Sequence, residues 1–259
     1  AKAASYNKLK SKPQWIYSYQ EPDTLFRTHL STGLKTQLKL RSLTFDGSVW
    51  CELPLGKLCF TGSFDKRTSD RSGVANIDAL REFAHNKKPN MLAARSRHAA
   101  TYYDNYLYAI GGTNYENGQI YLRDCERFDV TLEKWEALEP LPQACRSASV
   151  ISLEDSRSLY ALGGETTGNL AIDLIQRLSL GELKWDILKL KLPSPAQCIA
   201  SFKLDESQVY FVISKKLYCF TPQANSIKLV KALSKDATSF GPSYYSKGVL
   251  YTTRRGTSD

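Results

Sequence analysis

The residues able to do chemistry in this chain are few, and the ones that stand out are basic. Three histidines, His29, His85 and His98, fall in three different structural units, and the spacings GxSxG, HExxH, GxGxxG and the Walker loop are absent. A metal on His98 would need two or three further ligands, and the matching places downstream hold Ser147 and Ile199. No metal or cofactor is expected. Asp124 and Glu126 read as polarity on a sheet surface rather than as an acid/base pair. Arg97 and Arg146 carry more. Each opens a stretch that ends in a diglycine, Gly111-Gly112 or Gly163-Gly164. A guanidinium fork at such a place makes bidentate hydrogen bonds to a carboxylate without a change of protonation. The alternative is that both arginines pair with local carboxylates or backbone carbonyls.

What must position these residues is a repeat. From Arg97 to Pro142 the pattern is a small-residue strand, a turn at Asp104-Asn105, a second strand ending in the diglycine, and a third strand through Phe128-Asp129. A fourth strand carries Trp135, seven residues after Phe128. Paired glycines tolerate φ > 0 and let neighbouring backbones approach closely. Gly163-Gly164 returns 52 residues on, Trp185 follows Trp135 by 50, and Leu178 to Trp185 keeps the spacing of seven. A further copy at 200–230 keeps Tyr210 where Tyr108 and Tyr160 stand, but has Ile213-Ser214 in place of the glycines. Upstream, 48–63 holds two inner strands and a half-preserved pair, Gly62-Ser63. Second strands at Trp15, Leu58, Leu107, Leu159, Val209 and Val249 make six units. Aligning Gly33 with Gly181 makes the chain enter partway through a unit, and 240–253 supplies only the first two strands of the last.

A diglycine, an aromatic-Asp pair and a Trp in that order resemble the kelch motif, one blade of a β-propeller. The expected fold is therefore all-β: a six-bladed kelch-type β-propeller over 14–259 with one blade incomplete or composite, after a basic lead-in or closing strand at 1–13. In adaptor-type kelch proteins, arginines at the start of the inner strands ring one mouth of the channel and grip acidic peptides. The resemblance implies a non-enzymatic protein-interaction module of a larger protein, used for substrate recognition or as a scaffold. Its partner would be an acidic peptide segment, held at a mouth formed by Arg97, Arg146, His98 and Ser147. The ring of arginines is partial, since Asp46, Cys198 and Phe240 take the other matching places. Two rival readings remain. One is a kelch-type enzyme, such as a sugar oxidase or epimerase. The other is charge-driven binding of nucleic acid, although Lys215-Lys216 and Arg254-Arg255 are not interleaved with aromatics in any recognised module.

Composition agrees with strands. Hydrophobic residues make up 42%, with 15 Tyr, 10 Phe and one Met, a mixture suited to half-buried sheets. No apolar run approaches the ~18 residues of a membrane span, so no membrane contact is expected. The six cysteines are irregularly spaced, without CxxC, and read as reduced core thiols. Together with the absence of an Asn-x-Ser/Thr sequon, this points to a cytoplasmic protein. A start at Ala1 without Met suggests a fragment or a processed chain. The net charge of +9 is uneven: +9 over 1–100, −6 over 101–190 and +6 over 191–259. Residues 64–72 read as an exposed loop, 74–83 as a strand pair or a short helix, and Trp135 and Trp185 as wedges between blades.

Overall fold

Short runs of aromatic and β-branched residues, separated by two-residue turns, satisfy their backbone groups most simply as antiparallel meanders. In the computed structural model, which describes residues 15–20, 24–29, 32–39, 49–53, 57–62, 74–78, 85–115, 120–239, 243–246 and 249–252, every regular element is a β-strand. The strands form successive sheets in chain order. Sheet I holds Trp15–Gln20, Thr24–His29 and Lys35–Lys39. Sheet II holds Val49–Leu53, Lys57–Thr61, Val74–Asp78 and His85–Lys88. Sheet III is built from Ala99–Tyr103, Tyr106–Ile110, Cys125–Asp129 and Lys134–Leu138. Its counterpart, sheet IV, has Ser149–Leu153, Ser158–Leu162, Ile175–Ser179 and Lys184–Ile187. Sheet V has Ala200–Phe202, Val209–Ile213, Lys216–Thr221 and Ser226–Ala232, and sheet VI the pair Tyr244–Ser246 and Val249–Tyr251.

The first strands of sheets II, III, IV and V lie side by side. The core lies between sheets rather than within one. Cys59 of sheet II meets Leu107, Phe128 and Trp135 of sheet III; Tyr108 and Ile110 of sheet III meet Leu159 and Leu178 of sheet IV. Tyr160 and Leu162 of sheet IV meet Phe211 and Phe220 of sheet V, and Val212 of sheet V meets Leu250 of sheet VI. Because both faces of a middle strand are covered, Leu107 to Ile110 and Ser158 to Leu162 are buried without alternation. Sheets that pack face to face in sequence around their first strands are the blades of a β-propeller.

Sheet I has three strands among the described residues. Its turn at Gly33, with φ of 71°, joins its second and third strands, where Gly181 joins the third and fourth of sheet IV. For 74–83, the strand reading holds over Val74–Asp78, which pairs with both Lys57–Thr61 and His85–Lys88. Trp135 is the expected wedge, since its indole donates to the Pro89 carbonyl of the preceding connection at 3.0 Å. Trp185 is half-buried against the cluster shared by sheets III and IV. The lead-in at 1–13 and the loop at 64–72 lie outside the described residues. So do Asp46 and Phe240, and with them the residues that would fix six blades and a closed ring. No helix among the described residues is long and apolar enough to cross a membrane.

Candidate partner-binding face

The diglycines mark where each sheet meets the next. A Cβ on Gly62 would lie 2.3 Å from the Arg95 carbonyl oxygen, one on Gly111 2.4 Å from that of Cys145, and one on Gly163 2.3 Å from that of Ala196. All three glycines have positive φ, between 61° and 65°. The same approach, made three times, sets Arg95, Cys145 and Ala196 as equivalent residues. Two positions later, the Ser147 amide donates to Arg97 O at 2.7 Å, Cys198 to Ser147 O at 2.8 Å, and Ser239 to Cys198 O at 2.8 Å. Arg97, Ser147 and Cys198 share φ values of 51–54°. These bonds form a belt that stitches sheets III, IV and V together.

The belt corrects the expected alignment. Arg97 corresponds to Ser147, and Arg146 corresponds to Ser96, one residue earlier. Ser96 bridges Thr113 as Arg146 bridges Glu165. The two arginines therefore do not share a repeat position, and their surroundings differ. Arg146 is buried and paired with Glu165 at 2.9 Å, and it donates to Tyr115 Oη at 3.0 Å and to Asn169 Oδ1 at 2.9 Å. Arg97 is half-buried, and its guanidinium makes no hydrogen bond or ion pair among the described residues.

His98 is not at an open mouth. It is 2% exposed, with Nε2 2.7 Å from Thr61 Oγ1 of the preceding sheet and Nδ1 without a partner among the described residues. Burial, reinforced by the nearby Arg95 charge, holds its pKa well below the ordinary histidine value. The unfolded chain can take up that proton below about pH 6.5 and the folded chain cannot. The stability due to the neutral ring is thus present above that pH and lost as pH falls through it, by up to about 1.4 kcal/mol per pH unit. Urea midpoints at pH 7 and pH 5 should therefore diverge more in wild type than in His98→Gln. Equal divergence in the two would refute this reading.

Glu126 also departs from expectation, being buried rather than on a sheet surface. It pairs with the equally buried Arg95 at 2.6 Å and accepts the Leu92 amide at 2.7 Å, so it clasps the connection from sheet II. At the same place in sheet IV, Gln176 accepts the Gln143 amide at 2.9 Å and donates to the Gln143 carbonyl at 3.1 Å. Among the described residues no three His, Cys, Asp or Glu side chains converge as a metal site would require. Cys59, Cys125 and Cys145 are buried thiols whose pKa values burial pushes up to about 12.

After the diglycines the chain projects. In sheet III, Thr113–Asn114 pairs with Ile120–Tyr121, and in sheet IV Glu165–Thr166 pairs with Leu170–Ala171. Sheet V lacks this hairpin, because Ser214-Lys215, with φ of 51° and 60°, turns directly into the third strand. That explains the loss of its glycines. The two hairpins are tied together: Tyr121 Oη donates to Asn169 Oδ1 at 2.8 Å, and the Arg146 guanidinium lies 5.1 Å from the Tyr121 ring centre. Their equivalent residues Ile120 and Leu170 are 50% and 64% exposed. The result is a braced rim bearing two apolar side chains, with Arg97 next to the Ser96–Thr113 bridge at its base.

Residues 94–142, which include the Arg95–Glu126 pair and the whole of sheet III, match the family profile described as the Kelch motif. The chain is 31% identical over 174 residues to Kelch-like protein 38 of Mus musculus, covering 65% of this chain and 29% of that protein. It is 26% identical over 216 residues to Kelch-like protein 25 of Xenopus tropicalis, covering 77% of this chain and 36% of the relative. Kelch-like protein 35 of Mus musculus is 29% identical over 140 residues, or 52% of this chain and 23% of its own length. The chain thus spans only about a third of the length of the relatives it matches. Since the matched segment contains the diglycine and Trp135 that join one sheet to its neighbours, and Asp129 that closes the turn into the fourth strand, this chain is a kelch-repeat protein.

Proposed function

We propose that residues 14–259 form a single kelch propeller that serves as a protein-interaction module of a longer, cytoplasmic protein. The partner binds on the hairpin side of sheets III and IV. The observation that carries this reading is the braced pair of hairpins, which holds Ile120 and Leu170 out to solvent on a rigid base. Apolar side chains held on a fixed frame lose little freedom when a partner covers them, which favours binding there. Arg97, without an ion pair among the described residues, supplies a cation for a carboxylate of the partner, in keeping with an acidic peptide. Arg146 acts differently, as the strut of the rim.

The test is a selection of acidic peptides from a displayed library on the wild-type chain, followed by affinity measurements on two variants. Arg97→Ala should weaken the selected peptides about tenfold, the worth of a charge-assisted hydrogen bond of ~1.5 kcal/mol, with an unchanged melting temperature. Arg146→Ala should lower the melting temperature, because Glu165 would be left buried and uncompensated. Peptides that bind Arg97→Ala as tightly as wild type would overturn the assignment.

A further inference from the structure

The outer edge of sheet V differs from its counterparts. Its last strand, Ser226–Ala232, has seven residues, against five in Lys134–Leu138 and four in Lys184–Ile187. It pairs only with Lys216–Thr221, so the other side of its backbone has no neighbouring strand among the described residues. In sheets III and IV the outer strand contributes an anion to a cross-strand ion pair, Arg127 with Glu136 at 2.9 Å and Arg177 with Asp186 at 2.7 Å. In sheet V the equivalent pair is Cys219 with Lys228. The anion has become a cation.

The neighbours strengthen the contrast. Lys215, Lys216, Lys228, Lys231 and Lys235 are all exposed, and none makes an ion pair among the described residues. The nearby acid, Asp236, is engaged by the backbone amides of Lys215 and Ala237 at 3.1 and 2.9 Å. Leu229 and Val230 are 58% and 48% exposed, Val230 being the residue inserted at the bulge opposite Leu217 and Tyr218. Lysines and a bulge on an edge prevent it from pairing with its own copy, since lysine would meet lysine. The same lysines attract a strand that carries carboxylates.

We propose that this edge accepts an extended acidic segment of a partner protein as an added strand. Main-chain hydrogen bonds along Ser226–Ala232 would hold it, with carboxylates on Lys228 and Lys231 and apolar residues against Leu229 and Val230. Nucleic acid fits less well, because the aromatic rings of this sheet stack on one another, as Phe211 and Tyr218 do at 5.6 Å, rather than offering a platform to bases. The site is separate from the hairpin face and does not depend on it.

A fluorescein-labelled peptide of about eight residues, alternating Glu and Val, tests the idea on the whole chain. Its comparators are the Lys and Val analogue, an acidic peptide with Pro in place of Val, and random duplex DNA. The acidic strand peptide alone should bind saturably and protect the amides of 226–232 from hydrogen exchange. Lys228→Glu with Lys231→Glu should weaken it at least about tenfold at an unchanged melting temperature, and the two Gln replacements should weaken it less. Four results would overturn the proposal: no binding, equal binding of the proline peptide, preferential binding of DNA, or protection confined to other strands.

Discussion

Glu126→Ala should destabilise the domain by about 3–5 kcal/mol, the cost of stranding a buried charge. Arg95 and Glu126 are each 1% exposed and 2.6 Å apart. The remaining guanidinium bonds, to the Gly111 carbonyl at 2.8 Å and the Asp124 carbonyl at 2.6 Å, go to neutral acceptors and cannot balance the charge. The Leu92 and Ala93 amides would lose their acceptor as well. Sheet IV shows what a neutral solution looks like, with Cys145 at the place of Arg95 and Gln176 at that of Glu126. The double replacement Arg95→Cys with Glu126→Gln should therefore recover most of the loss, because removing both charges also removes their desolvation cost. Urea denaturation of the single and double variants measures both steps. A single variant within 1 kcal/mol of wild type, or a double variant no better than the single, would show that the pair is not what holds this connection.

Gly163→Ala comes next in size. The residue has φ of 61°, and an added Cβ would sit 2.3 Å from a backbone oxygen, that of Ala196, which belongs to the entry into sheet V. Left-handed backbone costs an L-residue roughly 1–2 kcal/mol, and forcing two backbones apart in a packed interface adds roughly 1–3 kcal/mol. A loss of about 2–5 kcal/mol follows, accompanied by faster hydrogen exchange at Cys198, whose amide closes the belt on Ser147. Gly181→Ala is the control. That glycine has no heavy atom within 4 Å of the added carbon, so its replacement should stay within about 0.5 kcal/mol of wild type. Equal effects at the two positions would mean that close approach is not the reason for the diglycine.

Several features were legible in the chain because the physics behind them repeats. Each sheet must bury the same faces against two neighbours, so Tyr108 and Tyr160, and Trp135 and Trp185, return at fixed offsets. The glycine leading from sheets II, III and IV into the next, at 62, 111 and 163, returns for the same reason: only a residue without Cβ fits there. The register of the arginines was not legible. The first turn of sheet III has two residues, Asp104-Asn105, and that of sheet IV has four, 154–157. Counting back from the diglycine therefore fails, and matching arginine to arginine hides a shift of one residue. Glu126 gave little sign of its burial beyond standing 50 residues before Gln176. The lysines of sheet V are visible as letters, but their lack of ion-pair partners among the described residues depends on which residues face them across the strands.

By itself, then, the sequence determined the all-β class, the repeat of about fifty residues, the junction glycines and the thiol character of the core cysteines. These follow from local propensity and from burial, which leave their mark on residue type at each position. Tertiary structure alone decided that Arg146 is a strut while Arg97 makes no ion pair among the described residues, that His98 and Glu126 are interior, and that the basic edge of sheet V has no neighbouring strand among them. Those outcomes turn on hydrogen bonds and charges between residues up to about fifty positions apart. A side chain's role there is set by the partner that the fold brings to it, and residue type does not record that partner.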